Sequence, residues 1–123
     1  MKICISSTGD NVDSSVDPRF GRCPFFLIYD DSTENYEFIP NSSRNAMGGA
    51  GIQAAQEVIS KGVEAVITGN IGPNSYRVFE SAKIKIYTGV SGPIKEAIAK
   101  YKANQLTSTS GPSVQSHYGM GKE

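Results

Sequence analysis

The chain is poor in sulfur and imidazole, with two cysteines and one histidine in 123 residues. Cys4 and Cys23 cannot build the disulfide framework of a small secreted domain. They also lack the Cys-x-x-Cys pairing of a closed structural zinc site. The only histidine, His117, lies near the end of the chain and leaves no Ser-His-Asp arrangement for nucleophilic catalysis. No charge of one sign dominates: 12 Lys and Arg face 12 Asp and Glu, without the basic run of a nucleic-acid binder. No apolar run approaches the ~20 residues that cross a bilayer. The opening Met-Lys-Ile-Cys-Ile-Ser-Ser is too soon polar for a signal peptide, so a soluble, cytoplasmic protein is expected. No Gly-rich turn is followed by the Gly-Lys-Ser/Thr of a P-loop. Lys2 to Ser6 carries no carboxylate, which argues against two-metal nuclease chemistry on a first strand.

What is present is a phrase used twice. Residues 66–73 read Val-Ile-Thr-Gly-Asn-Ile-Gly-Pro, and residues 86–93 read Ile-Tyr-Thr-Gly-Val-Ser-Gly-Pro. Each reads as an apolar strand, a Gly-rich turn and a helix opened by proline, whose missing N–H would have no partner there anyway. Tandem repetition implies a parallel β-α-β unit. Gly-rich turns at strand ends are where open α/β sheets bind ligands, and helix N-termini attract anions.

Along the chain, Lys2–Ser6 reads as a strand, followed by a long polar loop at 9–23. Phe25–Asp30 and Tyr36–Ile39 form a hairpin across a turn at 31–35. A second loop, Asn41 to Gly51, leads to a helix with Ile52, Ala55, Val58 and Ile59 at helical spacing, ended by Gly62. Ala65–Thr68 and Ile84–Thr88 are the last strands. Pro73 opens a helix with Tyr76, Phe79 and Ala82 on one face, and Pro93 another with Ile94, Ala97, Ile98 and Tyr101. The order β-β-β-α-β-α-β-α predicts an α/β fold: a ribonuclease-H-like five-stranded mixed sheet, order 3-2-1-4-5, strand 2 antiparallel, with three helices. A flavodoxin-like sheet would need a helix between the first two strands, and Pro18 with its neighbouring glycines disfavours one. Residues 1–102 read as the domain. Residues 103–123, rich in Ser, Thr and Gly, read as a flexible tail.

Three Gly-rich turns, at 48–51, 69–72 and 89–92, open helices on this reading. Any one of them serves a tight turn without a ligand; three on one edge favour a site. The turn at 48–51 is not the dinucleotide fingerprint, because it follows a loop rather than a strand. The densest chemistry is Val16-Asp17-Pro18-Arg19-Phe20-Gly21-Arg22-Cys23-Pro24. Arg19 and Arg22 suit forked contacts with an anion. Two readings of Cys23 stand: a thiolate whose pKa is lowered by a neighbouring cation, or a small packed residue. Likewise Arg19 either clamps an anion or pairs with Asp13 or Asp17. Cys4, mid-strand, reads as core. His117, near the thioether of Met120, is either a solvated residue or a swinging metal ligand.

Three stretches together resemble the dinitrogenase iron-molybdenum cofactor biosynthesis family. They are Val-Asp-Pro-Arg-Phe-Gly-Arg-Cys-Pro-Phe-Phe-Leu-Ile-Tyr-Asp, Gly-Gly-Ala-Gly-Ile-Gln-Ala-Ala, and Val-Ile-Thr-Gly-Asn-Ile-Gly-Pro. The resemblance covers roughly residues 1–102 and implies a ribonuclease-H-like fold. Its nitrogenase-associated members carry the iron-molybdenum cofactor or its precursor, and a related orange-coloured protein holds a molybdenum-copper-sulfur cluster. Nitrogenase-associated members often have His before Phe-Gly; here that place is Arg19, and a guanidinium does not coordinate metal.

The expectation is therefore a non-catalytic carrier of an anionic metal-sulfur cluster, with a cofactor-assembly or acceptor protein as partner. Its expected binding residues are Arg19, Cys23, Gly48, Gly49, Gly51, Gly69, Asn70 and Gly72, with Cys23 and His117 as metal ligands. A phosphate-ligand sensor using the same edge is the alternative. An enzyme with Cys23 as nucleophile is the third reading.

Overall fold

Ile3-Cys4-Ile5 is apolar at three successive positions, a pattern that suits a strand covered on both faces. These residues lie in β1 (Lys2–Ser7), the middle strand of a sheet ordered β3-β2-β1-β4-β5. The computed structural model describes residues 1–44 and 49–112. In it β2 (Phe25–Asp30) and β3 (Asn35–Pro40) form the expected antiparallel hairpin, and β2 runs antiparallel to β1. β4 (Ala65–Ile67) pairs parallel with β1, and β5 (Lys85–Tyr87) parallel with β4. The mixed five-stranded order and the antiparallel second strand are as expected from the pattern of elements. Residues 8–24, between β1 and β2, contain no helix.

Alternation along each strand divides the core into two clusters. Cys4, Phe26, Ile28, Ile39, Val66 and Ile86 face one side, beneath α1 (Ala50–Ser60) and α2 (Pro73–Ser81). Ile3, Ile5, Leu27, Tyr29, Ala65 and Ile67 face the other, beneath α3 (Ile94–Lys102). The helix stripes follow their spacing: Ala54, Ala55 and Val58 are buried on α1, and Ile94, Ala97 and Ile98 on α3. On α2 the buried residues are Ser75 and Phe79, whereas Ala82, expected on that face, is exposed at the helix end.

The connection after β1 is a structural part of both clusters. Val16 is buried against the α3 side, and Phe20 and Cys23 against the other. Phe20 sits between two aromatic rings, 5.0 Å from Phe26 and 5.2 Å from Phe79 between centroids. A polar-looking loop thus contributes Val16, Phe20 and Cys23 to the core and lies across the ends of β1 and β4.

The chain also keeps contact with the sheet beyond Lys102. Leu106 packs against the α3-side cluster. The Thr109 N–H donates to the Ile86 carbonyl at 2.6 Å, and the Thr88 N–H to the Thr109 hydroxyl at 3.0 Å. This strap occupies the outer edge of β5, so the expected boundary at 102 is not where contacts with the sheet stop. An open strand edge would otherwise template pairing with other chains. Residues 113–123 of the expected tail lie outside the described residues.

Phe20 tests whether the loop belongs to the core. Phe20→Ala should cost about 3–5 kcal/mol of unfolding free energy in a urea titration, the range for a large aromatic in a packed core. A loss below about 0.5 kcal/mol would mark an ordinary surface-loop position.

Candidate functional site

Asp17-Pro18-Arg19-Phe20 crosses the ends of β1 and β4, and almost every backbone group in it has a partner. The Asp17 N–H donates to the Ser6 carbonyl at 2.8 Å, and the Ser6 hydroxyl donates to the Asp17 carbonyl at 2.7 Å. Ser6 and Thr68 share a hydroxyl hydrogen bond of 2.7 Å, which links the ends of the two strands. The Phe20 N–H donates to the Asn70 carbonyl at 3.2 Å, and the Asn70 amide to the Pro18 carbonyl at 3.3 Å. Arg19 therefore projects from a short segment fastened on both sides. Its Nε lies 3.5 Å from Asp17 Oδ1, and the Arg19 side chain keeps 35% of its surface exposed. Asp17 is the partner foreseen in one reading of the loop; Asp13 pairs with Lys95 instead.

The glycines of this edge are required mainly by close approach. A Cβ on Gly69 would stand 2.6 Å from the Pro18 Cα, and one on Gly21 3.2 Å from the Gly51 Cα. A Cβ on Gly51 would meet the hydroxyl oxygen of Ser75. These contacts bring the N-terminal turns of α1 and α2 against the 18–21 segment. Gly49, the residue before α1, has φ +72, a conformation that favours glycine. Neither α1 nor α2 carries a side-chain cap, since Gly49 and Gly72 stand at their cap positions. The structure thus gathers Arg19, Gly49, Gly51, Gly69, Asn70 and Gly72 at one edge. Gly48 lies outside the described residues.

The third Gly-rich turn does not join them. α3 packs on the opposite face of the sheet, and its first N–H, from Ile94, donates to the Ser14 carbonyl at 3.0 Å. The Val16 N–H likewise donates to the Gly92 carbonyl at 2.8 Å. The loop after β1 closes this turn, so two helix starts face the edge rather than three.

Of the two readings of Cys23, the structure matches the small packed residue and not the activated thiolate, and it does not offer the thiol as the metal ligand expected from the sequence. Its side chain is fully buried beneath the edge, and its thiol donates to the Phe20 carbonyl at 3.2 Å. Burial, reinforced by the Asp17 charge, pushes the thiol well above its ordinary pKa. Arg22, the expected activating cation, instead donates from Nη1 to the Arg44 carbonyl at 2.7 Å. Cys4 is also buried, and burial followed by the nearby Cys23 raises its pKa. Reaching a cluster from Cys23 would require opening the core. His117, the other expected metal ligand, lies outside the described residues. Among the described residues, no three His, Cys, Asp or Glu side chains group closely enough to hold a metal ion.

Asn41 escaped the sequence reading. It is buried, and its amide donates to the carbonyls of Gly21 at 3.1 Å and Cys23 at 2.9 Å. Its own carbonyl oxygen on the side chain accepts the Ser43 N–H at 3.1 Å. Asn41 ties the second loop to the first. The available signal was Asn-Ser-Ser directly after a strand-ending proline, a composition that favours Asx turns.

Both thiols should resist alkylation in the folded protein and react fully in denaturant, as a timed iodoacetamide reaction followed by mass spectrometry would show. Fast modification of native Cys23 would contradict its burial. Below the ordinary thiol pKa both states are protonated, and the protected thiols cost no stability. Above about pH 8.5 the unfolded chain loses its thiol protons first. Stability should then fall with rising pH, by up to about 1.4 kcal/mol per pH unit for each thiol. Cys4→Ala and Cys23→Ala variants should flatten that decline.

Comparison with known proteins agrees with this architecture. The family model described as dinitrogenase iron-molybdenum cofactor matches residues 1–104. The orange protein of Desulfovibrio gigas, solved in its apo form, is 31% identical with a TM-score of 0.89, covering 92% of this chain and 96% of that one. A NifB-like protein from Thermotoga is 34% identical with a TM-score of 0.77, covering 87% of this chain and 91% of that one. An uncharacterized protein of Methanocaldococcus jannaschii is 35% identical over an alignment of 110 residues that covers 86% of this chain and 93% of its relative. With the family model spanning β1 through α3, the chain belongs to the dinitrogenase iron-molybdenum cofactor family.

Proposed function

We propose that the Arg19 edge holds an anionic metal-sulfur cofactor, an iron-molybdenum cofactor-like cluster or its precursor, as cargo and without catalysing a reaction. The observation that carries this reading is the meeting of Arg19 with the starts of α1 and α2 around Gly21, Gly51 and Asn70, in a chain of this family. A metal-sulfur cluster is a bulky anion whose sulfides accept hydrogen bonds. Helix N-termini and an arginine supply donors and positive potential for such a surface. Cys23 is sealed in the core, so the hold relies on hydrogen bonds and charge rather than on a metal-thiolate bond. Such binding suits a carrier, because a preformed cluster can leave for an assembly or acceptor protein without a ligand exchange at the metal.

The test is uptake of tetrathiomolybdate, alone and with copper(I), by anaerobically purified protein. Metal and absorbance retained after desalting are the readout. The wild type should retain the species, and Arg19→Ala should weaken binding by about tenfold or more, the scale of a lost charge-assisted hydrogen bond. Cys23→Ser should alter stability more than affinity. If no metal-sulfur species is retained while inorganic phosphate shifts the amide resonances of residues 18–22 and 49–51, the edge is a phosphate-ligand sensor instead.

A further inference from the structure

Resting on the carrier reading, we infer that Asp17 is a positioning residue that sets the direction of the Arg19 guanidinium at the anion edge. The Asp17 side chain is only 6% exposed. A buried carboxylate needs compensating donors, and among the described residues Arg19 supplies two of them. Asp17 Oδ1 accepts the Arg19 backbone N–H at 2.9 Å and lies 3.5 Å from Arg19 Nε. One oxygen thus closes an Asx turn over Pro18 and holds the side chain that leaves that turn.

The attachment of the guanidinium matters. The carboxylate oxygen stands 3.5 Å from Nε, at one corner of the fork. An arginine has five donors, so one carboxylate oxygen does not exhaust it. The residues on both sides are held by contacts: Asp17 is hydrogen-bonded to Ser6, and Phe20 packs between Phe26 and Phe79. Arg19 between them is half-buried. A long side chain loses substantial rotamer entropy when it is captured by a ligand. Asp17 removes part of that loss beforehand, at the expense of some of the positive potential offered to the anion.

Two readouts on the full-length protein test this. The first is solvent exchange of the Arg19 Nε–H by nuclear magnetic resonance, with no ligand present. Asp17→Ala removes the neighbouring carboxylate charge and should accelerate it about threefold or more, and Asp17→Asn, which removes the charge and keeps the shape, should accelerate it as well. The second is a double-mutant cycle on tetrathiomolybdate affinity. Asp17→Ala should weaken binding by about tenfold in the wild-type background and by less than about twofold in the Arg19→Ala background. Unchanged Nε–H exchange in Asp17→Ala, or an equal loss of affinity in both backgrounds, would overturn the inference, since a purely structural role of Asp17 persists without Arg19. If Asp17→Ala does not fold, Asp17→Asn must still speed the exchange. If the wild type binds no tetrathiomolybdate, the carrier reading falls, and the exchange measurement alone decides the pairing.

Discussion

Ser6, Thr68 and the backbone of Asp17 form a small hydrogen-bonded knot on which the edge of this protein depends. The two hydroxyls meet at 2.7 Å, and the Ser6 hydroxyl also reaches the Asp17 carbonyl at 2.7 Å. Each such bond contributes only about 1 kcal/mol net. Their importance is positional, because they lie where two parallel strands end and the chain must turn. At the end of β1 the Ser6 carbonyl accepts the Asp17 N–H from the loop, while at the end of β4 the Thr68 N–H donates to the Tyr87 carbonyl and the Thr68 carbonyl accepts the Val90 N–H. The two hydroxyls join these strand ends to each other and to the loop. Among the described residues no buried side-chain nitrogen or oxygen lacks a hydrogen bond. Phe20 then seats the loop in the core, and Arg19 has one place left to emerge.

The same constraint explains the glycines. A segment packed directly on strand ends and helix starts leaves no room for Cβ atoms at Gly69, Gly21 or Gly51. Close packing is a sufficient reason for these residues, independent of any ligand. It also brings backbone N–H groups of α1 and α2 near the Arg19 segment, because the helices can approach only where side chains are missing. Close packing and the meeting of two helix starts at this edge are therefore consequences of one geometry. The repeat of Thr-Gly-x-x-Gly-Pro at 68–73 and 88–93 shows the limit of reading such turns alone. The first turn opens at the Arg19 edge, while the second is stitched shut by Ser14 and Val16.

Cys23 and Arg19 are separated by three residues and have opposite surroundings. Cys23 is turned inward with its thiol on the Phe20 carbonyl, while Arg19 is turned outward against Asp17. Nothing in their spacing distinguishes the two directions. A basic neighbour such as Arg22 lowers a thiol pKa only if it is close to the sulfur and the sulfur is hydrated. Here Arg22 reaches the Arg44 carbonyl, and burial dominates.

Elements and topology were legible because they rest on short-range patterns. The apolar run Phe-Phe-Leu-Ile-Tyr, proline at helix starts and the absence of a helix in residues 9–23 are local facts, and together they leave few sheet orders. The gathering of Arg19, Asn70 and the 49–51 turn was also legible, since parallel strands put their following turns on one side. What the sequence by itself determined was therefore the sheet, its order and the loops that meet at its end. Only the tertiary structure decided which way each loop residue faces: Cys23 inward, Asn41 inward as a tie between loops, the 89–92 turn closed, and Thr109 strapped along β5. The physical reason is that strand and helix periodicity assigns faces to residues, whereas a loop has no period. Its orientation is set by partners far away in the sequence, such as Phe79 for Phe20 and Ile86 for Thr109.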